Sequence, residues 1–113
     1  MIDHNKHVVR RMFEEILPST DLAGIEELVD PAFVDHAPAV LGASEGIASL
    51  RATHAYLHAR APGAVRFELE DLVGEGDRVA VRWRFGQARA IAWFRLANGK
   101  IVERWALITG PRG

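Results

Sequence analysis

The apolar positions recur at helical spacing in the first half of the chain and alternate in the second. Val8, Val9, Met12, Phe13, Ile16 and Leu17 fall three and four apart, with Arg10, Arg11, Glu14 and Glu15 between them. A one-sided stripe of this kind predicts an amphipathic helix over residues 5–17. Pro18 stops it, because the residue before a proline is pushed out of the α region. Ser19-Thr20-Asp21 offers a new cap. Leu22, Ile25, Leu28 and Val29 then give the buried side of a short second helix, closed by Asp30-Pro31. Residues 32–36, Ala-Phe-Val-Asp-His, read as a short extended segment. A third helix is expected over residues 44–61, with Ser44 as cap and Glu45 in the first turn, where the helix dipole favours a carboxylate. Its apolar stripe is Ile47, Leu50, Leu57 and Ala61, with His54 inside the stripe, and Pro62-Gly63 ends it.

From residue 65 the period falls to two. Residues 65–70 alternate cleanly, and Asp71-Leu72-Val73 breaks the alternation, which predicts a bulge near Asp71. Residues 79–85, 88–96 and 100–108 are three further runs rich in Val, Ile, Trp and Phe. The separators are Gly74-Glu75-Gly76-Asp77, Gly86-Gln87 and Asn98-Gly99. Asn-Gly is the strongest short hairpin signal, because both residues tolerate positive φ in a type I′ turn. Helices first and an antiparallel meander afterwards make a single α+β domain over residues 1–113. One face of the sheet needs the helices as a cover, and a bound molecule would lie between the two.

Composition narrows the function classes. The chain has 113 residues, 49 % of them hydrophobic, which suffices for one core. Its net charge of -1 argues against a general surface for nucleic acid or anionic membrane. The arginines at 78, 82, 84, 89 and 95 can be balanced across strands by Glu68, Glu70 and Glu103. There is no cysteine, hence no disulfide, thiolate metal site or Cys nucleophile. No apolar run is long enough to span a bilayer, and the first residues have no apolar signal core, so a soluble cytoplasmic protein is the expectation.

The alternation also places candidate side chains. Trp83, in phase with Val79, Val81 and Phe85, is expected to point inward, as is Phe94 with Ala92 and Leu96. These aromatics serve either as core or as a stacking surface for a flat ligand. Trp93 and Arg95 alternate outward, and an exposed Trp on a sheet suggests an interface. In the last strand Arg104 shares a face with Val102, Ala106 and Ile108, opposite Glu103 and Trp105. His54 and His58 stand at i,i+4, but no Glu follows the first and no third ligand is evident, so no metal site is expected. His54 instead reads as a hydrogen-bonded histidine on the floor of a cavity. No phosphate loop, Ser-His-Asp arrangement or dinucleotide fingerprint is present.

Three segments carry a family resemblance. They are Asp30-Pro-Ala-Phe-Val-Asp-His36, then Glu70-Asp-Leu-Val-Gly-Glu-Gly-Asp-Arg-Val-Ala-Val81, then Phe94-Arg-Leu-Ala-Asn-Gly-Lys-Ile-Val-Glu-Arg-Trp105. With them the chain resembles the SnoaL-like polyketide cyclase family, within the superfamily named for nuclear transport factor 2. The resemblance implies a cone: three N-terminal helices packed on a curved, mostly antiparallel sheet that encloses a cavity. It implies acid/base chemistry on a hydrophobic carbonyl substrate without metal or organic cofactor, and a homodimer formed through the outer face of the sheet. His36 resembles the position of the base in the steroid-isomerase relatives, and a histidine suits proton transfer near neutral pH. The opposing reading has His36 packed at the mouth. In either reading Asp35 alternates with His36 and is expected to point the other way, to solvent or to an Arg. Arg104 would face the cavity and bind an enolate or phenolate oxygen, or else pair with a Glu on a neighbouring strand.

The chain departs from the family pattern at three places. Ala106 occupies the position where the cyclases carry an acid/base carboxylate, and Phe13 lies where the isomerases carry an oxyanion-hole Tyr. The long loop that helps close the cavity mouth is reduced to residues 86–89. Two functions follow as expectations. One is a cofactor-independent isomerase or cyclase with His36 as base and Arg104 as oxyanion partner. The other is a non-catalytic small-molecule-binding domain. In both, His54, Trp83, Phe13, Phe94 and Ala106 would line the ligand.

Overall fold

The computed structural model describes residues 2–109. Helix α1, Ile2–Arg11, runs without a break into a π-helical turn over Met12–Ile16, which the Leu17 N–H closes on the Met12 carbonyl at 2.9 Å. Both stretches bury the expected stripe: Val8, Val9, Met12, Phe13, Ile16 and Leu17 are each at most 4 % exposed. The second helix is shorter than the periodicity predicts. Helix α2 is only Ile25–Leu28, because Leu22 and Gly24 both take positive φ, 59° and 86°, and unwind its first turn. Ser19 and Asp21 cap turns instead of a helix: Ser19 Oγ accepts from Leu22 N–H at 3.1 Å, and Asp21 Oδ1 accepts from Ala23 N–H at 3.0 Å.

Strand β1 is Val29–Asp35, and helix α3 is Gly46–Arg60. Glu45 precedes α3 in an extended conformation and bridges Val34, so neither Ser44 nor Glu45 sits inside the helix. The strands of the meander are β2 (Glu68–Glu75), β3 (Arg78–Phe85), β4 (Ala88–Ala97) and β5 (Lys100–Thr109). They form one sheet in the order β1-β5-β4-β3-β2, antiparallel except where β1 joins β5 in parallel. The expected bulge is present, as a register shift between Leu69 and Asp71. Asn98 and Gly99 carry φ of 53° and 78°, the pair of positive values that a type I′ hairpin requires.

The helices cover one face of this sheet. Val79, Val81, Trp83, Ala90, Ala92, Phe94 and Ile101 form that inner face and are buried with the helical stripe in a single cluster. No described helix is long and apolar enough to cross a membrane.

Candidate functional site

The hollow of the cone is occupied by aromatic rings. Phe13, delivered by the π turn, stands edge-on to Phe67 at 5.1 Å and to Phe94 at 6.0 Å, and lies 6.0 Å from Trp83. Trp83, Phe13 and Phe94 are 6 %, 3 % and 0 % exposed, which places all three inward as their phase predicts. Ala106 is half-buried on the same face, opposite Ala92 in register. Phe67 closes the group, edge-to-face with Trp83 at 5.2 Å and against Phe85 at 5.3 Å. Among the described residues two buried polar atoms are left without a hydrogen-bond partner, Trp83 Nε1 and Ser49 Oγ.

The polar part of the inner face is an ion pair. Asp35 is 2 % exposed, and its two carboxylate oxygens accept from Arg104 Nη1 at 2.9 and 3.1 Å. The same nitrogen donates to the Ala37 carbonyl at 2.9 Å, and Ala37 N–H donates back to Asp35 Oδ1 at 2.9 Å. Arg104 thus faces inward, as expected, and its partner is an aspartate of β1 in register with it.

His36 lies on the other side. The inward orientation expected for it is corrected by the structure. Phe33 and Asp35 are alternate buried positions at the end of β1, so the next residue points outward. There His36 Nε2–H donates to Glu103 Oε2 at 2.9 Å, and the ring stacks on Trp105 at 4.9 Å with an interplanar angle of 11°. Trp105 stacks in turn on Trp93 at 6.3 Å, while Arg95 donates to Glu103 and Arg78 lies over Trp105. The sheet therefore separates His36 from Arg104, and the two do not converge on one ligand.

Glu103 is held below the ordinary carboxylate value of 4.5, first by the hydrogen bond from His36 and second by that from Arg95. A depressed folded value means that this contribution to stability is complete above pH 4.5 and is lost as pH falls through the folded value. His36→Ala is expected to move the Glu103 titration back toward 4.5 while Arg95 keeps part of the shift, as read by NMR titration. An unchanged Glu103 titration would show that His36 does not bind it in solution.

His54 and His58 are half-buried and do not reach the inner face of the sheet through their ring nitrogens. His54 Nε2–H donates to the Ser19 carbonyl at 2.6 Å and His58 Nε2–H to the Leu17 carbonyl at 2.9 Å, with the rings 4.1 Å apart. They tie α3 to the end of the first helix, which corrects the expectation of His54 as cavity floor. Among the described residues no group of three or more His, Asp or Glu could hold a metal ion.

Sequence reasoning missed Phe67 and the inward, buried placement of Asp35, while the pairing of Asp35 with an Arg was one of the two readings offered. Asp35 had a signal, its phase with Phe33. Phe67 had one in Val65 and Leu69, which place it on the buried side of the alternation.

Comparison with known proteins bears on this geometry at the level of the family. A family model for the SnoaL-like domain matches residues 9–104. The chain belongs to the SnoaL-like family. No curated protein matches it by sequence. Solved structures of similar shape include a proposed SnoaL-like polyketide cyclase from Jannaschia sp. CCS1, 23 % identical over 94 % of this chain and 85 % of that one, with a TM-score of 0.75. IdmH, a proposed polyketide cyclase from Streptomyces antibioticus, is 21 % identical over 92 % and 91 %, with a TM-score of 0.77. A proposed polyketide cyclase from Bacillus cereus ATCC 10987 is 26 % identical over 93 % of this chain and 74 % of that one, with a TM-score of 0.76. Such likeness establishes the cone of this SnoaL-like domain and leaves its chemistry to the site.

Proposed function

We propose that this SnoaL-like domain holds a hydrophobic small molecule carrying a carbonyl or phenolic oxygen, bound against the aromatic inner face of the sheet. The observation that carries the reading is the separation of the two expected catalytic groups by the sheet. His36 is engaged with Glu103 outside, and Asp35 is engaged with Arg104 inside. Both Asp35 oxygens are already engaged, by Arg104 and by the Ala37 N–H, so neither faces a ligand unpartnered. The aromatic rings supply area and flat faces, which suit binding.

A second reading, a cofactor-independent isomerase or cyclase, has its own support. Solved relatives of similar shape are proposed polyketide cyclases. Arg104 also has no partner at Nε or Nη2 among the described residues, so an oxyanion could take up those donors and loosen its hold on Asp35. NMR titration with a panel of enones and polyketide-like phenols separates the readings. Saturable shifts at Phe94, Ala106 and Arg104 amides without turnover are the expected result. Turnover abolished by Asp35→Asn would favour the enzyme. Absence of any inner-face shift would sink both.

The proposal extends to a homodimer through the outer face. Val73, Ile91 and Leu107 are 56 %, 50 % and 69 % exposed there, beside the Trp93–Trp105 stack. Exposed apolar side chains clustered on one sheet face mark an interaction surface. Sedimentation velocity is expected to give a dimer that Ile91→Lys converts to monomer. A monomeric parent chain at high concentration would overturn this part.

A further inference from the structure

Phe67 borders both the aromatic cluster and the surface. Its ring contacts the buried indole of Trp83, whose Nε1 has no acceptor among the described residues. It also lines a surface depression of about 280 Å³, together with Arg66, Glu68, Arg84 and Gly86. Phe67 is itself only half-buried. It belongs to residues 61–67, an irregular connection between α3 and β2, turned by Gly63 at φ 71° and closed by Ala64 N–H on the Ala61 carbonyl at 3.0 Å. Val65, 6 % exposed, anchors this connection two residues before Phe67.

We infer that Phe67 gates a ligand site in which the Trp83 indole N–H donates to the carbonyl or phenolic oxygen of a flat, apolar acid whose carboxylate rests on Arg66. The inference rests on the reading above of a ligand held on the inner face, and adds how the ligand enters, what it meets there and which charge it carries. A buried N–H without an acceptor is costly, because its hydration is lost and nothing replaces it. The Phe67 ring now stands edge-to-face with the indole, 5.2 Å away at 85°. An aromatic ring is at best a weak acceptor, whereas a carbonyl or phenolate oxygen is a full one. Exchanging the ring for a flat ligand therefore keeps the aromatic contacts with Phe13 and Trp83 and adds the missing hydrogen bond. The charge at the mouth selects the other end. Arg84 is already engaged by Glu68, while Arg66 is exposed and has no ion-pair partner among the described residues. A carboxylate lying in the depression would be its partner, in the planar geometry that guanidinium groups favour.

The test uses the full chain with a hydroxynaphthoic acid, its methyl ester and naphthalene as probes, followed through the indole N–H resonances. The Trp83 resonance is identified by its loss in Trp83→Phe. With the acid it is expected to move downfield, while the Trp93 and Trp105 resonances stay in place. Naphthalene, which has no acceptor, is expected to leave it without that downfield move. Trp83→Phe is expected to bind the acid about tenfold more weakly, the effect of one buried hydrogen bond. Phe67→Ala is expected to bind it about tenfold more tightly, because no ring must be displaced first. Arg66→Gln is expected to weaken the acid but not the ester. Binding that shifts Phe94 and Ala106 amides but leaves the Trp83 indole unmoved overturns the gate and spares the broader reading. Failure of every probe to shift the inner face, in the parent chain and in Phe67→Ala, overturns both. Should Trp83→Phe fail to fold, the Trp83 resonance is assigned by elimination from Trp93→Phe and Trp105→Phe, and its shift together with the Phe67→Ala affinity still decides.

Discussion

Arg104→Met is expected to destabilise the fold by about 3–5 kcal/mol, the loss found when one partner of a buried ion pair is removed. Asp35 is 2 % exposed and would keep only the Ala37 N–H. The change replaces a long side chain by another of similar reach, so the loss would report charge rather than volume. Asp35→Asn is expected to cost less, since its amide oxygen still accepts from Ala37 N–H and Arg104 retains the Ala37 carbonyl. The pair Asp35→Leu with Arg104→Met is expected to recover most of the loss, because buried pairs replaced by apolar groups are often neutral. Urea unfolding of the parent chain, Arg104→Met, Asp35→Leu and the double variant gives the coupling directly. Single losses below about 1 kcal/mol, the range of solvated surface pairs, would mean that water reaches the carboxylate and the inner face is open there.

Phe13→Ala is expected to cost about 3–5 kcal/mol, the usual range for removing a buried aromatic side chain. Phe13 is the ring that touches each of Phe67, Trp83 and Phe94, so its removal leaves a gap lined by apolar atoms. Such a gap stays dry and accepts a small aromatic molecule. Benzene is therefore expected to raise the melting temperature of Phe13→Ala and to leave that of the parent chain unchanged. Equal melting temperatures for Phe13→Ala and the parent would mean that the ring is not part of the core.

The sheet was largely legible in the sequence, because its signals are local. Period-two runs, the Asn98-Gly99 turn and the interruption at Asp71 each depend on a few neighbouring residues, and each appears where expected. Helix α2 was legible only in part. Its apolar spacing was correct, but Ser19 and Asp21 found turn partners within three residues and Gly24 unwound the start. The family was legible in three segments and is borne out by the match over residues 9–104.

The site was less legible, because it depends on which way a short strand faces. Asp35 and His36 are neighbours, and alternation says only that they point apart. The sign is set by Phe33, which takes the core and carries Asp35 inward with it. That choice brings Asp35 beside Arg104 through a parallel pairing of residues 69 positions apart in sequence, which no local pattern encodes. The orphaned nitrogen of Trp83 is likewise a property of the assembled core and has no counterpart in the sequence.

The π turn over Met12–Ile16 has a consequence for how this chain tolerates insertions and deletions. Val9, Phe13 and Leu17 repeat at intervals of four, and an unbroken α-helix would rotate such a row by about 40° at each step. The wider turn absorbs that drift, so residues on both sides of it meet the sheet. Losing one residue within it would restore a regular helix with little change of facing, because the seven steps then left between Val9 and Leu17 turn by about 700°, within about 20° of two full turns. Gaining one there would turn everything upstream by about 100°, and Asn5, Val8 and Val9, now buried, would swing away from the core together. Single-residue insertions between positions 12 and 16 should accordingly be far less tolerated than single-residue deletions there.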